Sequence, residues 1–203
     1  MKLNLKDIQK YLFPLKRLFT KYRPIRSVDQ VKNFIQEQSA QVSQMTLYGY
    51  LKTRMGAKHV IMFEDKDFLN SINIAKWHIY AASLIDCTFF CFSFLYKEKK
   101  IEKIEDANKV FFEILNSEKA NGMILDAYEG ATKEFNSRYP NIDWPSYCNS
   151  KPFEYCCNEL YNWSPIADEL KKLDKKIVIN SMFLKWNNVQ NEFKRLTNKF
   201  SNN

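Results

Sequence analysis

Glycine is scarce in this chain, with only four glycines and six prolines among 203 residues. β-Sandwiches, barrels and glycine-rich nucleotide folds need many tight turns at positive φ, and glycine is the residue that supplies them at no steric cost. Apolar residues make up 45% of the chain and aromatic residues 15%, which is enough for a packed core. A chain of this length suits one domain. The composition therefore predicts a single-domain, all-α protein.

Helical periodicity extends over most of the chain. Ser27, followed three residues later by Gln30, predicts a capping box at the start of one helix, and Gly56 predicts its end. Ser164 and Pro165 predict the N-cap and the first residue of a long C-terminal helix. The apolar positions expected to form its buried stripe are Ile166, Leu170, Leu173, Ile177, Leu184, Phe193, Leu196 and Phe200. These signals predict a helical bundle of about six to seven helices.

Residues 79–96 are apolar on nearly every side and lie within the longest predicted helix, at 67–97. A helix of this kind is either the buried centre of a bundle or a membrane span. The run just reaches the roughly 17–25 residues that a span needs. Asp86 lies at its middle, where inserting a charge costs roughly 2.5–3.5 kcal/mol. We therefore expect a long buried central helix, with the membrane span as the alternative.

Positive charge is concentrated at the N-terminus. Residues 1–26 hold eight basic residues and one acid, a net charge of +7, whereas the remaining 177 residues hold 23 basic and 22 acidic residues. The segment also carries a helical apolar stripe, formed by Leu5, Ile8, Leu12, Leu15, Phe19 and Tyr22. We divide the chain into a basic amphipathic segment, 1–26, and a helical domain, 27–203.

Two interpretations of the basic segment stay open. It lies on an anionic membrane with its lysines at the headgroups, or its apolar stripe docks onto this protein's own helices or onto a partner protein. Nucleic acid is not expected as a partner, since the charge does not extend over the body and no recognition motif accompanies it. The basic groups assigned to this interaction surface are Lys6, Lys10, Lys16, Arg17 and Lys21.

Motifs for catalysis and cofactor binding are missing from the sequence. It contains no glycine-rich phosphate loop, no G-x-S-x-G nucleophile elbow and no H-E-x-x-H zinc motif. The spacing of Cys148, Cys156 and Cys157 does not match a zinc site. We expect neither a cofactor nor a metal, and the pattern favours a non-enzymatic protein. The odd number of cysteines, with no secretory signal, indicates reduced thiols and a cytoplasmic setting.

Polar residues interrupt two of the apolar stretches. Asp86 does so in the central helix, and Asn180 and Ser181 do so in the C-terminal stripe. One interpretation is a hydrogen-bonded core network that fixes helix register. The other is a small polar pocket for a ligand, joined by further residues of the central helix. The full candidate set is Asn73, Lys76, Tyr80, Asp86, Asn180 and Ser181.

Residues 47–86 and 163–186 resemble a family of uncharacterised alphaproteobacterial proteins of similar length, often labelled esterases by automatic transfer. The resemblance implies a bacterial cytoplasmic protein. The family has no established catalytic residues that could be assigned to positions of this chain. It draws attention to aromatic and basic groups near one helix end, which we add to the interaction surface: Tyr48, Tyr50, Lys52 and Arg54.

We therefore expect a non-enzymatic helical interaction or scaffold protein in the cytoplasm, whose partners are other proteins, an anionic membrane surface, or both. Peripheral association with the inner membrane through the basic segment is the specific form of this hypothesis. The alternative is an esterase-like hydrolase with an unrecognised site, which depends on the family label alone.

Overall fold

The computed structural model of this chain describes residues 24–56 and 64–200. These residues form six α-helices and no β-strand: α1 (Val28–Met55), α2 (Lys66–Lys97), α3 (Glu105–Ala120), α4 (Leu125–Arg138), α5 (Glu154–Trp163) and α6 (Asp168–Leu196). Short 3-10 turns follow at Tyr139–Asn141, Tyr147–Asn149 and Thr197–Lys199. The predicted all-α, single-domain bundle with a long central helix and a long C-terminal helix is confirmed.

Helix α2 is the centre of the bundle. Every residue from Ile79 to Leu95 is buried, because α1, α3, α4 and α5 all pack against this helix. By length and composition α2 would suffice to cross a membrane, but 94% of its most apolar window is buried inside the protein. Packing on every side accounts for the all-round apolar sequence, as an amphipathic helix would leave one polar side to water. The predicted buried central helix is therefore confirmed.

Helix α1 begins and ends at the capping residues that the sequence predicts, with one difference in detail. The Ser27 side chain accepts a hydrogen bond from the Gln30 backbone N–H, which makes it the N-cap. The Gln30 side chain reaches back one residue further than a capping box requires, since its Oε1 accepts from the Arg26 N–H at 2.6 Å. Gly56 ends the helix at φ +52°, a conformation that favours glycine.

The predicted start of α6 is wrong by a few residues. Ser164 is buried, and its hydroxyl donates to the Leu160 carbonyl at 2.5 Å, so this serine closes α5. Helix α6 begins at Asp168, with Ala167 as its N-cap. The Ser-Pro pair therefore belongs to the α5–α6 connection, because the Ser164 hydroxyl binds a carbonyl of the preceding helix, α5, instead of a backbone N–H of α6.

The predicted buried face of α6 is also wrong from Leu170 to Leu184. Leu170, Leu173, Ile177 and Leu184 are 45%, 76%, 70% and 65% exposed. The face that enters the core carries Val178, Met182, Trp186, Val189, Phe193 and Leu196. Trp186 stacks on Phe153, the N-cap of α5, with ring centroids 4.2 Å apart. Aromatic side chains bury the most apolar area, which explains why the face that carries them is buried and the aliphatic face is exposed.

The chain enters the described structure beside the end of α6. Ile25 is buried in the core, and its N–H donates to the Leu196 carbonyl at 3.0 Å. The basic groups predicted to form an N-terminal interaction surface (Lys6, Lys10, Lys16, Arg17 and Lys21) lie outside the described residues.

The orientation of α6 predicts a large loss of stability for one substitution and almost none for another two positions away. Trp186→Ala should lower the free energy of unfolding by about 3–5 kcal/mol, because it leaves a cavity beside Phe153. Leu184→Ala, on the solvent side, should change it by no more than about 0.5 kcal/mol. Urea denaturation followed by circular dichroism measures both, and a larger loss for Leu184→Ala would contradict the orientation described here.

Candidate functional site

Asp86, fully buried at the middle of α2, forms an ion pair with the half-buried Arg138. Its Oδ1 lies 2.9 Å from Nη2 of Arg138 at the end of α4, and its Oδ2 accepts from the Cys156 backbone N–H of α5 at 2.8 Å. Arg138 also donates to the Tyr147 hydroxyl, at 3.1 Å, and that hydroxyl donates to the Pro152 carbonyl at 2.9 Å. The carboxylate thus joins α2, α4 and α5 at one point.

Burial governs the protonation of this pair. The loss of hydration raises the pKa of Asp86 to about 6, against the opposing effects of the Arg138 charge and the Cys156 N–H. The guanidinium of Arg138 lies over the rings of Phe89 and Tyr155, 5.2 Å and 4.9 Å from their centroids. Aromatic faces and a carboxylate together stabilise this partly buried cation, although its Nη1 is buried without a hydrogen bond.

Lys76 and Tyr80 belong to a second network, about 15 Å and about 9 Å along the axis of α2 from Asp86. The Tyr80 hydroxyl donates to Glu118 Oε1 at 2.8 Å, and Gln36 Nε2 donates to the same oxygen at 2.6 Å. Lys76 Nζ lies 4.3 Å from the centroid of the Trp77 ring. Burial lowers the pKa of Lys76 to about 8, and the charge of Glu118 raises it in part. This network joins α2 to α1 and α3.

The six residues of the predicted polar pocket do not come together. Lys76 and Tyr80 share the second network, Asp86 has its own partners, and Asn73 is half-buried. Asn180 and Ser181 are exposed on α6, and the Ser181 hydroxyl donates to the Val178 carbonyl of its own helix at 2.7 Å. The sequence pattern correctly identified polar groups within apolar stretches. The predicted pocket, however, combined residues that belong to two separate networks with residues of a solvent-exposed stretch.

Most of the predicted surface at the end of α1 is an internal contact. Arg54 Nε and the Tyr50 hydroxyl both donate to the Asp174 carboxylate of α6, the latter at 3.2 Å. Tyr48 is half-buried and packs against the core, and Lys52 is exposed. Tyr50 and Arg54 therefore hold the first turns of α6 against α1.

The exposed aliphatic residues of α6 form a surface that the sequence analysis missed. We call Leu170, Leu173, Ile177 and Leu184 the α6 stripe. Their spacing of three, four and seven residues places them on one side of the helix, opposite its core face. At about 100° per residue, Lys176 and Lys185 fall on either side of this stripe, and so do Glu169 and Asp174. The sequence could have indicated this surface, because two separate apolar stripes run along the one helix and a single core contact buries only one of them.

Searches of protein-family models, of curated proteins and of solved structures found nothing that matches this chain. Among the described residues, no group of three or more His, Cys, Asp or Glu side chains is placed to hold a metal ion. The resemblance to the alphaproteobacterial family and the esterase alternative both stay predictions. The α6 stripe is the most distinctive candidate surface in the described part of the chain.

The Asp86–Arg138 pair predicts a specific pH dependence of stability. Folding raises the pKa of Asp86 above its ordinary value of 3.8, so its contribution to stability is complete below that value. The contribution is lost as the pH rises through about 6. Urea denaturation between pH 4 and 8 should show this decline in the native protein and not in Asp86→Asn.

Arg138→Met should strengthen this pH dependence of stability. Without the guanidinium, the buried carboxylate is uncompensated, which costs about 3–5 kcal/mol at pH 8. The loss should be smaller at pH 5, where Asp86 takes up a proton. An equal loss at both pH values would show that Arg138 stabilises the protein by packing alone.

Proposed function

We propose that this protein is a non-enzymatic interaction protein that binds peripherally to an anionic membrane surface, with the α6 stripe as its apolar contact. The observation that carries the proposal is the exposure of four large aliphatic side chains on one side of one helix. An apolar face bordered by lysines is typical of helices that lie in the plane of a membrane interface.

The energetics suit weak, reversible binding. The exposed fractions of the four residues add up to about two and a half fully exposed residues. Transfer of that surface out of water is worth about 5 kcal/mol at roughly 2 kcal/mol per side chain. Each lysine close to an anionic surface adds about 1 kcal/mol. Lys176 and Lys185 are placed to contribute in this way, and their contribution would weaken as salt is added.

A lipid surface fits the α6 stripe better than a protein partner does. A stable protein–protein interface takes about 20–30 residues from each side, and the stripe offers four large aliphatic residues over 15 positions of one helix. A membrane sets no such minimum area, because affinity is shared between apolar insertion and long-range attraction to the headgroups.

The basic N-terminal sequence supports the same proposal. Its net charge of +7 is the strongest local charge in the chain. It joins the described structure at Ile25, whose N–H is bonded to Leu196 at the end of α6. The segment and the stripe are therefore attached to the same helix, and we propose that both contribute to one membrane contact.

Co-sedimentation with vesicles tests the proposal. Wild-type protein should bind vesicles that contain phosphatidylglycerol and should bind pure phosphatidylcholine about tenfold less. The double substitution Leu173→Ser/Ile177→Ser should weaken binding about tenfold or more, because it removes more than half of the exposed stripe. Deletion of residues 2–22 should weaken it further.

The matched control is Leu125→Ser. Leu125 is an exposed leucine, 58% accessible, at the start of α4 and away from α6 in sequence. This substitution should leave vesicle binding unchanged. If it weakens binding as much as the α6 double substitution does, or if the double substitution binds like wild type, the α6 stripe is not the contact.

A further inference from the structure

Arg138 lies between two carboxylates and is incompletely paired. Its Nη2 lies 2.9 Å from Asp86 Oδ1, and its Nε lies 4.0 Å from Oε1 of Glu134, one turn earlier on the same helix. Its Nη1 is buried and makes no hydrogen bond. A guanidinium has more N–H donors than this position uses, so the observed pairing is not the best that Arg138 can make.

The Tyr147 hydroxyl joins this arginine to residues 139–153, which we call the α4–α5 connection. The hydroxyl accepts from Arg138 Nη2 at 3.1 Å and donates to the Pro152 carbonyl at 2.9 Å. Its one proton has a second acceptor nearby, because Asp86 Oδ1 lies 3.4 Å away. The later part of the α4–α5 connection is therefore held by a hydrogen bond that depends on the ion pair.

The earlier part of the α4–α5 connection is held in a different way. The Ser93 hydroxyl of α2 donates to the Trp144 carbonyl at 2.6 Å and accepts from the Cys148 N–H at 2.8 Å. Neither bond involves a group that changes its charge. The two parts of the same connection should consequently respond differently to pH.

Asp86 is the group in this cluster whose charge changes near neutral pH. Burial raises its pKa to about 6. The groups that face it from other elements keep their protons in this range, because burial raises the pKa of Tyr147, of Tyr155 and of the Cys156 thiol. Burial alone would lower the pKa of Arg138, but the charge of Asp86 raises it.

Loss of the charge on Asp86 changes the balance at Arg138. Hydrogen bonds to a charged partner are roughly twice as strong as those to a neutral one, so the guanidinium is held less firmly. Glu134, whose side chain is 37% exposed, is then the charged carboxylate closest to Arg138 in the described part of the chain. A turn toward Glu134 offers an acceptor to the unbonded Nη1 and withdraws Nη2 from Tyr147.

We infer that Arg138 is a pH-sensitive switch that controls the later part of the α4–α5 connection. With Asp86 ionised, Arg138 binds Asp86 and Tyr147 and keeps residues 149–153 in place. With Asp86 protonated, Arg138 turns to Glu134 and these residues are released. Protonation still stabilises the fold as a whole, because it ends the burial of a charge. The switch does not depend on the proposed membrane contact.

Hydrogen–deuterium exchange of the full chain, read by mass spectrometry and corrected for the intrinsic effect of pH, tests the switch. In the wild type, peptides that cover residues 149–156 should exchange about tenfold faster at pH 5 than at pH 8, because local opening becomes easier. Peptides that cover residues 142–148 and α1 should not change. Asp86→Asn, which is neutral throughout, should show the faster exchange at both pH values.

Glu134→Gln distinguishes the switch from a simple loss of the ion pair. Without the second carboxylate Arg138 has no charged partner to turn to, so exchange of residues 149–156 at pH 5 should stay within about twofold of its value at pH 8. The matched control is Glu129→Gln, which removes the same charge from an exposed neighbour on α4 and should respond to pH as the wild type does. This pair of variants decides the matter even if Asp86→Asn does not fold.

Three results would overturn the inference. The first is wild-type exchange of residues 149–156 that does not change between pH 8 and pH 5 after correction. The second is an equal response of Glu134→Gln and Glu129→Gln, which would show that Arg138 does not turn to Glu134. The third is faster exchange in α1 and residues 142–148 to the same extent, which would show general loosening of the protein.

Discussion

Complete burial of α2 is the constraint on which the rest of the structure depends. From Ile79 to Leu95 this helix has no residue at the surface, so other elements must cover it on all sides. A charged group at Asp86 has no access to water there, and burying it alone would be costly. Arg138 and the Cys156 N–H supply its partners. The position of α4 and α5 around the central helix is therefore tied to this one carboxylate.

Other polar side chains of α2 each point to a different neighbour. Tyr80 bonds to Glu118 of α3, and Ser83 bonds to Ser43 of α1 at 2.9 Å. Ser93 bonds to the Trp144 carbonyl in the segment between α4 and α5. Apolar packing alone tolerates many registers, whereas hydrogen bonds inside a core are lost when a helix slips. These bonds therefore specify one arrangement of helices around α2.

Core packing among the described residues leaves two places unfilled or uncovered. Helix α6 buries its aromatic face and leaves an aliphatic face in water, which stability alone does not require. Between α2, α4 and α5, small residues leave a cleft where larger ones would pack. The proposed membrane contact uses the first of these two places.

The sequence by itself determined the helical class, the burial of all of residues 79–96 except Tyr96, the cap at Ser27 and the end of α1 at Gly56. These features depend on local spacing, backbone conformation and composition, all of which are visible in one stretch of chain. Only the tertiary structure decided which side of α6 is buried. Periodicity gives the spacing of an apolar stripe, but where a helix carries two stripes, its neighbours select one. For the same reason Asp86 and Asn180 looked alike in the sequence, although one is buried in an ion pair and the other is exposed to solvent.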